Sequence, residues 1–309
     1  MADILLLDAD SHNGFPNLSI MKLSAYHKQL GDHVVFIQGI PTTAPLEQFD
    51  KVYISCIFFQ NTEAVKDYAA QFSCPVELGG SGVDLKKELP YDIEHILPDY
   101  SLYDLDYSLG FTSRGCIRKC GFCVVPEKEG TIRDNAPISE FLHPDHKKVV
   151  LLDNNFQASP RWKETLDFLI EHNLKVNFNQ GLDIRLVNEE FAQHIAETHS
   201  YNWTFKHRGL HFAFDSMSVE KAVIRGIKIL TNAGIRPADL MFYVLVGYDT
   251  TFEQDLYRVE VLRELGVKPY IQLYNQVKDR ELRRLARWIN RKYYEFLPFE
   301  GFMEAGVAQ

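Results

Sequence analysis

The sequence has few cysteines, no long apolar run and no internal repeat. Its 309 residues include five cysteines, a sparse and odd number that does not suit a disulfide framework. No apolar run approaches the ~20 residues that a membrane span requires, and no signal peptide precedes the cysteines. We therefore expect a soluble protein of the reducing cytoplasm. The net charge of −9 does not favour a nucleic-acid partner, because binding phosphates requires a basic surface.

Three of the five cysteines lie within eight residues of one another. Cys116, Cys120 and Cys123 have the spacing CxxxCxxC, and no cysteine follows them. Three thiolates this close can ligate three irons of a 4Fe–4S cluster and leave the fourth iron open to a small molecule. A structural zinc site needs four ligands, and the nearest candidates, His143 and His146, lie about twenty residues on without a second CxxC pair. The spacing therefore predicts cofactor-driven redox or radical chemistry.

The loop around these cysteines resembles a known family signature. The run Phe111–Pro126, FTSRGCIRKCGFCVVP, is similar to the signature loop of the radical S-adenosylmethionine (SAM) superfamily. This resemblance implies that the open iron chelates the amino and carboxylate groups of SAM, and that the reduced cluster cleaves SAM to a 5′-deoxyadenosyl radical. It also implies that Phe122 packs by the adenine. An external electron donor of the flavodoxin or ferredoxin type is the partner that such a cluster needs.

Strand and helix patterns alternate over residues 1–90. Asp3–Asp8 has the apolar run typical of a buried parallel strand. A helix is predicted over Asn17–Leu30, where apolar residues recur at helical spacing before Gly31. The further predicted elements are strands at 33–37, 51–58 and 75–78 and a helix at 62–72. This alternation predicts a small doubly wound, Rossmann-like domain, with ligand space beyond the carboxyl ends of its strands.

The same segment resembles the cobalamin-binding-like domain that precedes many radical SAM barrels, in Gly14–Lys28 and Leu78–Gly80. It is shorter than a full cobalamin domain by one strand–helix pair. The run Asp10–Gly14 is similar to the cobalt-ligating DxHxxG motif, with His12 as the histidine, but its glycine comes one residue early. We therefore do not expect cobalamin to bind, and expect this domain to cover the barrel mouth or to help bind substrate.

After an acidic, tyrosine-rich linker over residues 91–110, the alternation resumes. Strands are predicted at 111–113, 147–153, 175–179, 209–214, 240–246 and 269–273, and helices at 160–172, 188–198, 219–233 and 251–265. The resemblance implies that these six units form the partial (β/α)6 radical SAM barrel, over residues 111–276. The predicted fold class is thus α/β, and reactive groups are expected on loops at the carboxyl ends of the barrel strands.

Polar residues follow the second and third predicted barrel strands. Asp153, Asn154 and Asn155 stand where relatives carry a glycine-rich segment ending in Glu that binds the SAM amino group, although the pattern departs there. Asp183 and Arg185 follow the third strand. Arg185 is suited to pair with the SAM carboxylate or a substrate anion through its planar fork. The alternative is that Asp183 and Arg185 form a structural turn.

The later strands end in further candidates. Asp215 and Ser216 stand where relatives often have Val-Glu-Ser, which implies that they contact SAM. Gly247 matches the family's adenine-contacting segment, and its missing Cβ lets the backbone approach a flat ring. Gln272 is a candidate hydrogen-bond partner for adenine or substrate. Tyr274 is a candidate radical relay or hydrogen donor, with a packed tyrosine as the alternative.

Residues 277–309 are predicted to form a C-terminal amphipathic helix and tail. Its apolar stripe contains Leu282, Leu285 and Ile289. The opposite face carries four arginines: Arg280, Arg284, Arg287 and Arg291. These arginines are interpreted as a solvated face, or alternatively as a contact for an anionic substrate.

The resemblance thus implies a radical SAM enzyme, and the absence of later cysteines predicts one cluster. The expected substrate is a small-molecule or nucleotide-type compound. The radical would abstract hydrogen from an unactivated C–H bond of that substrate. Two alternatives stay open: a cobalamin-dependent radical SAM methyltransferase, and a non-catalytic iron–sulfur or SAM-binding module.

Overall fold

The structure, a computed structural model, describes residues 1–10, 14–43, 45, 47–276 and 278–305. His12, the predicted counterpart of a cobalt ligand, lies outside the described residues. The chain divides into two compact units. The first contains Met1–Lys119 and Cys123–Val149, and the second contains Cys120–Phe122 and the chain from Val150 onward. Both units have parallel sheets with helices, so the mixed α/β class predicted for the chain is confirmed. The predicted domain boundary at residue 110 stays a prediction.

The first unit begins with a four-stranded parallel sheet of order β2-β1-β3-β4. Its elements are β1 (Asp3–Asp8), α1 (Leu18–Gln29), β2 (His33–Gln38), β3 (Lys51–Ser55), α2 (Thr62–Ala69) and β4 (Val76–Gly79). Leu5 and Leu7 pack on one side with Val65 of α2, while Leu6 packs on the other side with Ile20 of α1. Burial on both faces explains why β1 is an unbroken apolar run rather than an alternating one.

The rest of the first unit consists of short elements. They are α3 (Tyr91–Glu94), β5 (Ser108–Gly110), β6 (Ser113–Arg114), α4 (Val125–Lys128), β7 (Arg133–Asp134) and α5 (Ile138–Phe141). The strand predicted at 111–113 was wrong in its position, because β5 ends at Gly110. The backbone carbonyls of the next two residues turn to Asn135, which donates its side chain to Phe111 and its N–H to Thr112. A long-range contact therefore sets this strand end.

The boundary between the two units falls inside β8, between Val149 and Val150. This strand is described with the second unit. Its elements are β8 (Lys148–Leu151), α6 (Trp162–Glu171), β9 (Lys175–Phe178), α7 (Glu189–Glu197), β10 (His199–Ser200), β11 (Leu210–Ala213), α8 (Glu220–Asn232), β12 (Leu240–Val246), α9 (Phe252–Glu264), β13 (Lys268–Leu273), α10 (Arg280–Asn290) and α11 (Phe299–Glu304). The two-residue β10 was not predicted, and it pairs in parallel with β9. No described helix is long and apolar enough to cross a bilayer.

The strands of the second unit fall into two groups, ordered β10-β9-β8 and β11-β12-β13. Between them, the Leu182 N–H just after β9 donates to the His211 carbonyl of β11 over 2.7 Å. Five of the six predicted barrel strands are thus present near their expected positions, as β8, β9, β11, β12 and β13. Closure into one partial barrel stays a prediction. In β12, burial alternates strictly along the strand, which leaves Met241, Tyr243 and Leu245 half-buried on one face. Its other face is fully buried.

The C-terminal helix α10 lies against β13. Leu282, Leu285 and Ile289, the predicted apolar stripe, are buried together with Trp288. Asn290 at the end of the helix accepts from the N–H of Ile271 over 2.8 Å and donates to the carbonyl of the same residue over 2.9 Å. This amide therefore pairs with the backbone of β13, the edge strand of its sheet. Of the four predicted arginines, three are exposed and Arg284 is half-buried.

Candidate active site

The cysteine loop has a closed base. Ser113 and Arg114 of β6 pair in antiparallel fashion with β7, so the chain leaves and returns at the same point. Gly115 follows with φ of +81°, and a Cβ there would lie 2.2 Å from the Thr131 carbonyl oxygen. The Cys116 N–H donates to the Gly130 carbonyl over 3.2 Å. Only glycine can adopt this backbone conformation with so close an approach.

Arg114, the residue before Gly115, anchors the base of the loop. The sequence patterns did not predict this role. Its guanidinium donates to Glu94 over 2.7 Å and to Glu129 over 3.3 Å, and it lies over the Phe111 ring at 4.0 Å. Burial acts to raise the pKa of Glu94, but the charges of Lys22 and Arg114 outweigh it, and the pKa lies below its ordinary value. The loop base is therefore held by the ion pair of Arg114 with Glu94.

The three loop cysteines are partly exposed thiols, as expected for ligands that must reach a cofactor. None of the chain's five cysteines, all of which are described, forms a disulfide. The Arg118 N–H donates to the Cys116 sulfur over 3.3 Å, and such bonds tune thiolates in iron–sulfur sites. Over the described ranges, no three His, Cys, Asp or Glu side chains come together as a metal-holding group. Thiolates are the ligands that iron–sulfur clusters take, so the three cysteines fit three irons by their chemistry. The ligands of such a site are brought together by the metal that they bind.

Phe122 and the end of β12 meet in an aromatic cluster that we call the tyrosine seat, formed by Phe122, Tyr248 and Tyr274. The Tyr248 ring contacts Phe122 edge-on at 5.6 Å and Tyr274 edge-on at 4.8 Å between centroids. Gly247, with φ of +79°, turns the chain immediately before Tyr248. The structure therefore places three of the predicted residues, Phe122, Gly247 and Tyr274, beside one tyrosine that was not predicted.

A second group of predicted residues meets after β8 and β9. The Asn155 amide donates to the Asp183 carboxylate over 3.4 Å. Arg185 binds that carboxylate with both ends of its fork, over 2.6 and 3.0 Å. Asp183 also caps its own turn by accepting from the Arg185 N–H. Asp153 is buried and Asn154 half-buried on the segment that leads to Asn155.

Asp215 is tied to the neighbouring strand. Its carboxylate accepts from the Leu245 N–H over 2.9 Å. Burial raises its pKa, while the positive charges of Arg258 and Arg185 partly oppose that rise. Ser216 caps a short 3₁₀ turn by accepting from the Ser218 N–H, and its hydroxyl also bonds to the Ser218 hydroxyl. Gln272 is exposed on β13, level with Leu245.

A buried ion pair beneath these strand ends was missed by the sequence reasoning. Arg258 of α9 donates to the carbonyls of Phe214 and Leu245 over 2.5 and 2.8 Å, and to Asp255 over 2.5 Å. Thr250 also donates to the Asp255 carboxylate. A signal was present: Asp255 and Arg258 share the face of α9 that carries the buried Val259.

The strand ends of the first unit are occupied by internal hydrogen bonds. Asp8, at the end of β1, accepts from the Tyr103 hydroxyl over 2.8 Å and from Asn17 over 3.4 Å. Asp10 accepts from Asn61 over 2.6 Å and from two backbone N–H groups after β3. The strand order reverses between β1 and β3, where doubly wound folds bind ligands. At this point the two carboxylates therefore act as structural acceptors.

A cavity of about 770 Å³ opens in the first unit, and its volume is in the range that suits small-molecule ligands. Ser55 and Gly79, at the ends of β3 and β4, lie in its wall. Arg114 and Glu129 line it too, from the segments that flank the cysteine loop. Its charges are largely paired, as in the contact of Lys51 with Glu77 at 3.0 Å.

Comparison with known proteins gives limited similarity. No family model and no curated protein matches the chain. Among solved structures, it is similar to SuiB of Streptococcus suis bound to SAM, with 13% identity and a TM-score of 0.42. It is also similar to SuiB bound to the precursor peptide SuiA, with 14% identity and a TM-score of 0.44. In both, 76% of this chain is covered, and the chain spans 57% and 58% of SuiB. We draw no functional conclusion from similarity at this level.

Proposed function

We propose that this protein is a radical SAM enzyme with one 4Fe–4S cluster bound through Cys116, Cys120 and Cys123. The observation that carries the proposal is the CxxxCxxC loop itself, because its base is closed at Gly115 and its Phe122 contacts Tyr248 beside Gly247. When bound, the cluster would supply the electron that cleaves SAM reductively and so generates the hydrogen-abstracting radical.

The residues of the second unit have distinct roles in this proposal. Phe122 and the backbone at Gly247 offer a flat apolar contact to the adenine. Arg185 offers its guanidinium to the SAM carboxylate, in exchange for part of its bond to Asp183. Asp215 accepts from the SAM ammonium with the carboxylate oxygen that does not bind Leu245. The substrate is a small molecule or nucleotide-type compound, and the electron donor is external.

The test is anaerobic reconstitution with iron and sulfide, followed by reduction in the presence of SAM and measurement of 5′-deoxyadenosine. The wild-type protein is expected to form it, and Cys120→Ala is expected to lose both the iron and the product. Cys74→Ala is the matched control, because Cys74 is a half-buried thiol outside the loop. A fully loaded wild-type cluster that forms no 5′-deoxyadenosine would instead favour a non-catalytic SAM-binding module.

The alternative of a cobalamin-dependent methyltransferase has a separate test. Wild-type protein is incubated anaerobically with hydroxocobalamin, desalted and examined for a corrinoid spectrum. We expect no retained corrinoid, since Asp8 and Asp10 at the β1–β3 reversal already accept internal hydrogen bonds. Stoichiometric retention would favour the methyltransferase. The cavity of the first unit supports a substrate-binding role for that unit.

A further inference from the structure

The contact between Gly121 and Tyr248 is unusually close. A Cβ built at Gly121 would lie 2.4 Å from the Tyr248 hydroxyl oxygen but 3.6 Å from the ring carbon that carries it. The first distance is a steric clash, and the second is ordinary van der Waals contact. The hydroxyl group alone therefore fills the space where a side chain at Gly121 would be.

The Tyr248 ring is held on more than one side. Its edge-on contacts with Phe122 and Tyr274 would be lost if the ring rotated away from the loop. Tyr248 is 39% exposed, so these two ring contacts, and not enclosure in the core, hold its orientation. Gly247 before it has φ of +79°, a conformation that favours glycine and fixes how the chain enters the tyrosine seat.

We propose that Tyr248 is a positioning residue that seats Gly121 and Phe122, and thereby sets the approach of Cys120 and Cys123 to the cluster. The two seated residues are the whole of the chain between these cysteines. Their position therefore limits where both thiols can lie. The inference rests on the proposed function for its link to the cluster, but the seating itself is a property of the protein without metal.

The experiment measures how fast Cys120 and Cys123 react with a maleimide in metal-free, reduced protein, with each site read by peptide mass spectrometry. The variants are Gly121→Ala, Tyr248→Phe, Tyr248→Ala and the double variant Gly121→Ala/Tyr248→Phe. Gly121→Ala and Tyr248→Ala are each expected to speed labelling by about threefold or more, because each disrupts the contact that holds the chain between the two cysteines. Residues in contact also show coupled effects. Tyr248→Phe alone is expected to stay near wild type, because it keeps the ring.

The decisive result is rescue. The double variant is expected to label at nearly the rate of Tyr248→Phe, since removing the hydroxyl leaves room for the new methyl group. Tyr257→Phe is the matched control, because its exposed hydroxyl bonds to Glu220 on another helix, and it is expected not to rescue Gly121→Ala. Labelling of Cys56, which is fully buried, reports any variant that has unfolded.

Two outcomes overturn the proposal. In one, Gly121→Ala labels like wild type; in the other, the double variant labels as fast as Gly121→Ala. Iron and sulfide retained after reconstitution are measured in parallel, and retention is expected to fall in Gly121→Ala and to recover in the double variant. If wild type retains no cluster while the labelling pattern holds, the proposed function fails and the seating by Tyr248 stands.

Discussion

Arg258 lies 2.5 Å from Asp255, one turn earlier on α9, and both side chains are fully buried. The guanidinium also donates to the carbonyls of Phe214 and Leu245, which belong to the neighbouring chain segments of β11 and β12. A single charged group thus joins a helix to the two strand ends beside Asp215. Buried charges are costly unless each is paired and hydrogen-bonded, and this guanidinium is paired with Asp255 and bonded to both carbonyls.

Arg258→Ala is expected to lower the free energy of unfolding by about 3–5 kcal/mol, because it leaves Asp255 charged, buried and unpaired. The measurement is urea unfolding followed by circular dichroism. Arg236→Ala is the control. Because Arg236 is exposed, its ion pair with Asp239 is expected to contribute little to the free energy of unfolding. A loss as small as that of the control would show that removing Arg258 leaves no costly buried charge at Asp255.

Asp215→Asn is expected to change the pH dependence of stability. Burial raises the pKa of Asp215 above its ordinary 3.8, so the folded protein binds this proton more readily than the unfolded chain. The charged carboxylate therefore costs stability near neutral pH, and the cost is relieved as pH falls through the raised pKa toward 3.8. The amide oxygen of asparagine can still accept from the Leu245 N–H, but this side chain does not titrate.

The measurement is the urea midpoint of wild type and Asp215→Asn across that pH window. Wild type is expected to gain stability relative to the variant as the pH is lowered. Parallel profiles for the two proteins would show that the carboxylate does not titrate differently on folding.

Gly115→Ala is expected to disturb the cysteine loop more than Gly130→Ala does. Both glycines have positive φ, so both substitutions add backbone strain of about 1–3 kcal/mol. A Cβ at Gly130 meets open space, whereas one at Gly115 meets the Thr131 backbone. Thermal unfolding and iron retention after reconstitution measure the difference. Equal effects in the two variants would mean that the close approach at Gly115 is easily relaxed.

Arg185→Lys is expected to weaken SAM binding about tenfold, because lysine cannot present the planar fork to a carboxylate. Equilibrium dialysis of reconstituted protein with labelled SAM measures it. Arg225→Lys is the control, since Arg225 is exposed and donates to the backbone carbonyl of Arg185 over 3.4 Å. Unchanged affinity in Arg185→Lys would assign the pair with Asp183 to a structural turn.

The elements with strong local patterns were predictable from the sequence. β1 matches its predicted bounds, and the buried stripe of α10 contains the three predicted apolar residues. The displaced strand at Gly110 and the added β10 were not predictable, because distant partners decide them. The contacts of Asn135 follow the end of β5 at Gly110, and β10 forms by pairing with β9.

The candidate site divides in the same way. The cysteines and Phe122 carry a local signature, whereas Tyr248 and Arg258 matter through contacts that form only on folding. Spacing along the chain cannot show that the Tyr248 hydroxyl reaches Gly121, more than a hundred residues earlier. Spacing can show that Arg258 shares the buried face of its helix. In similar sequences, a charged pair on the apolar face of a helix is therefore the pattern that predicts a buried ion pair.

The amide of Asn290 has a consequence beyond the packing of α10. An edge strand exposes backbone groups that can recruit a strand from another molecule and so begin aggregation. Because Asn290 bonds both the N–H and the carbonyl of Ile271, it blocks this template at the centre of β13. During synthesis, β13 emerges from the ribosome before α10, so this strand stays open to wrong partners until Asn290 has followed it.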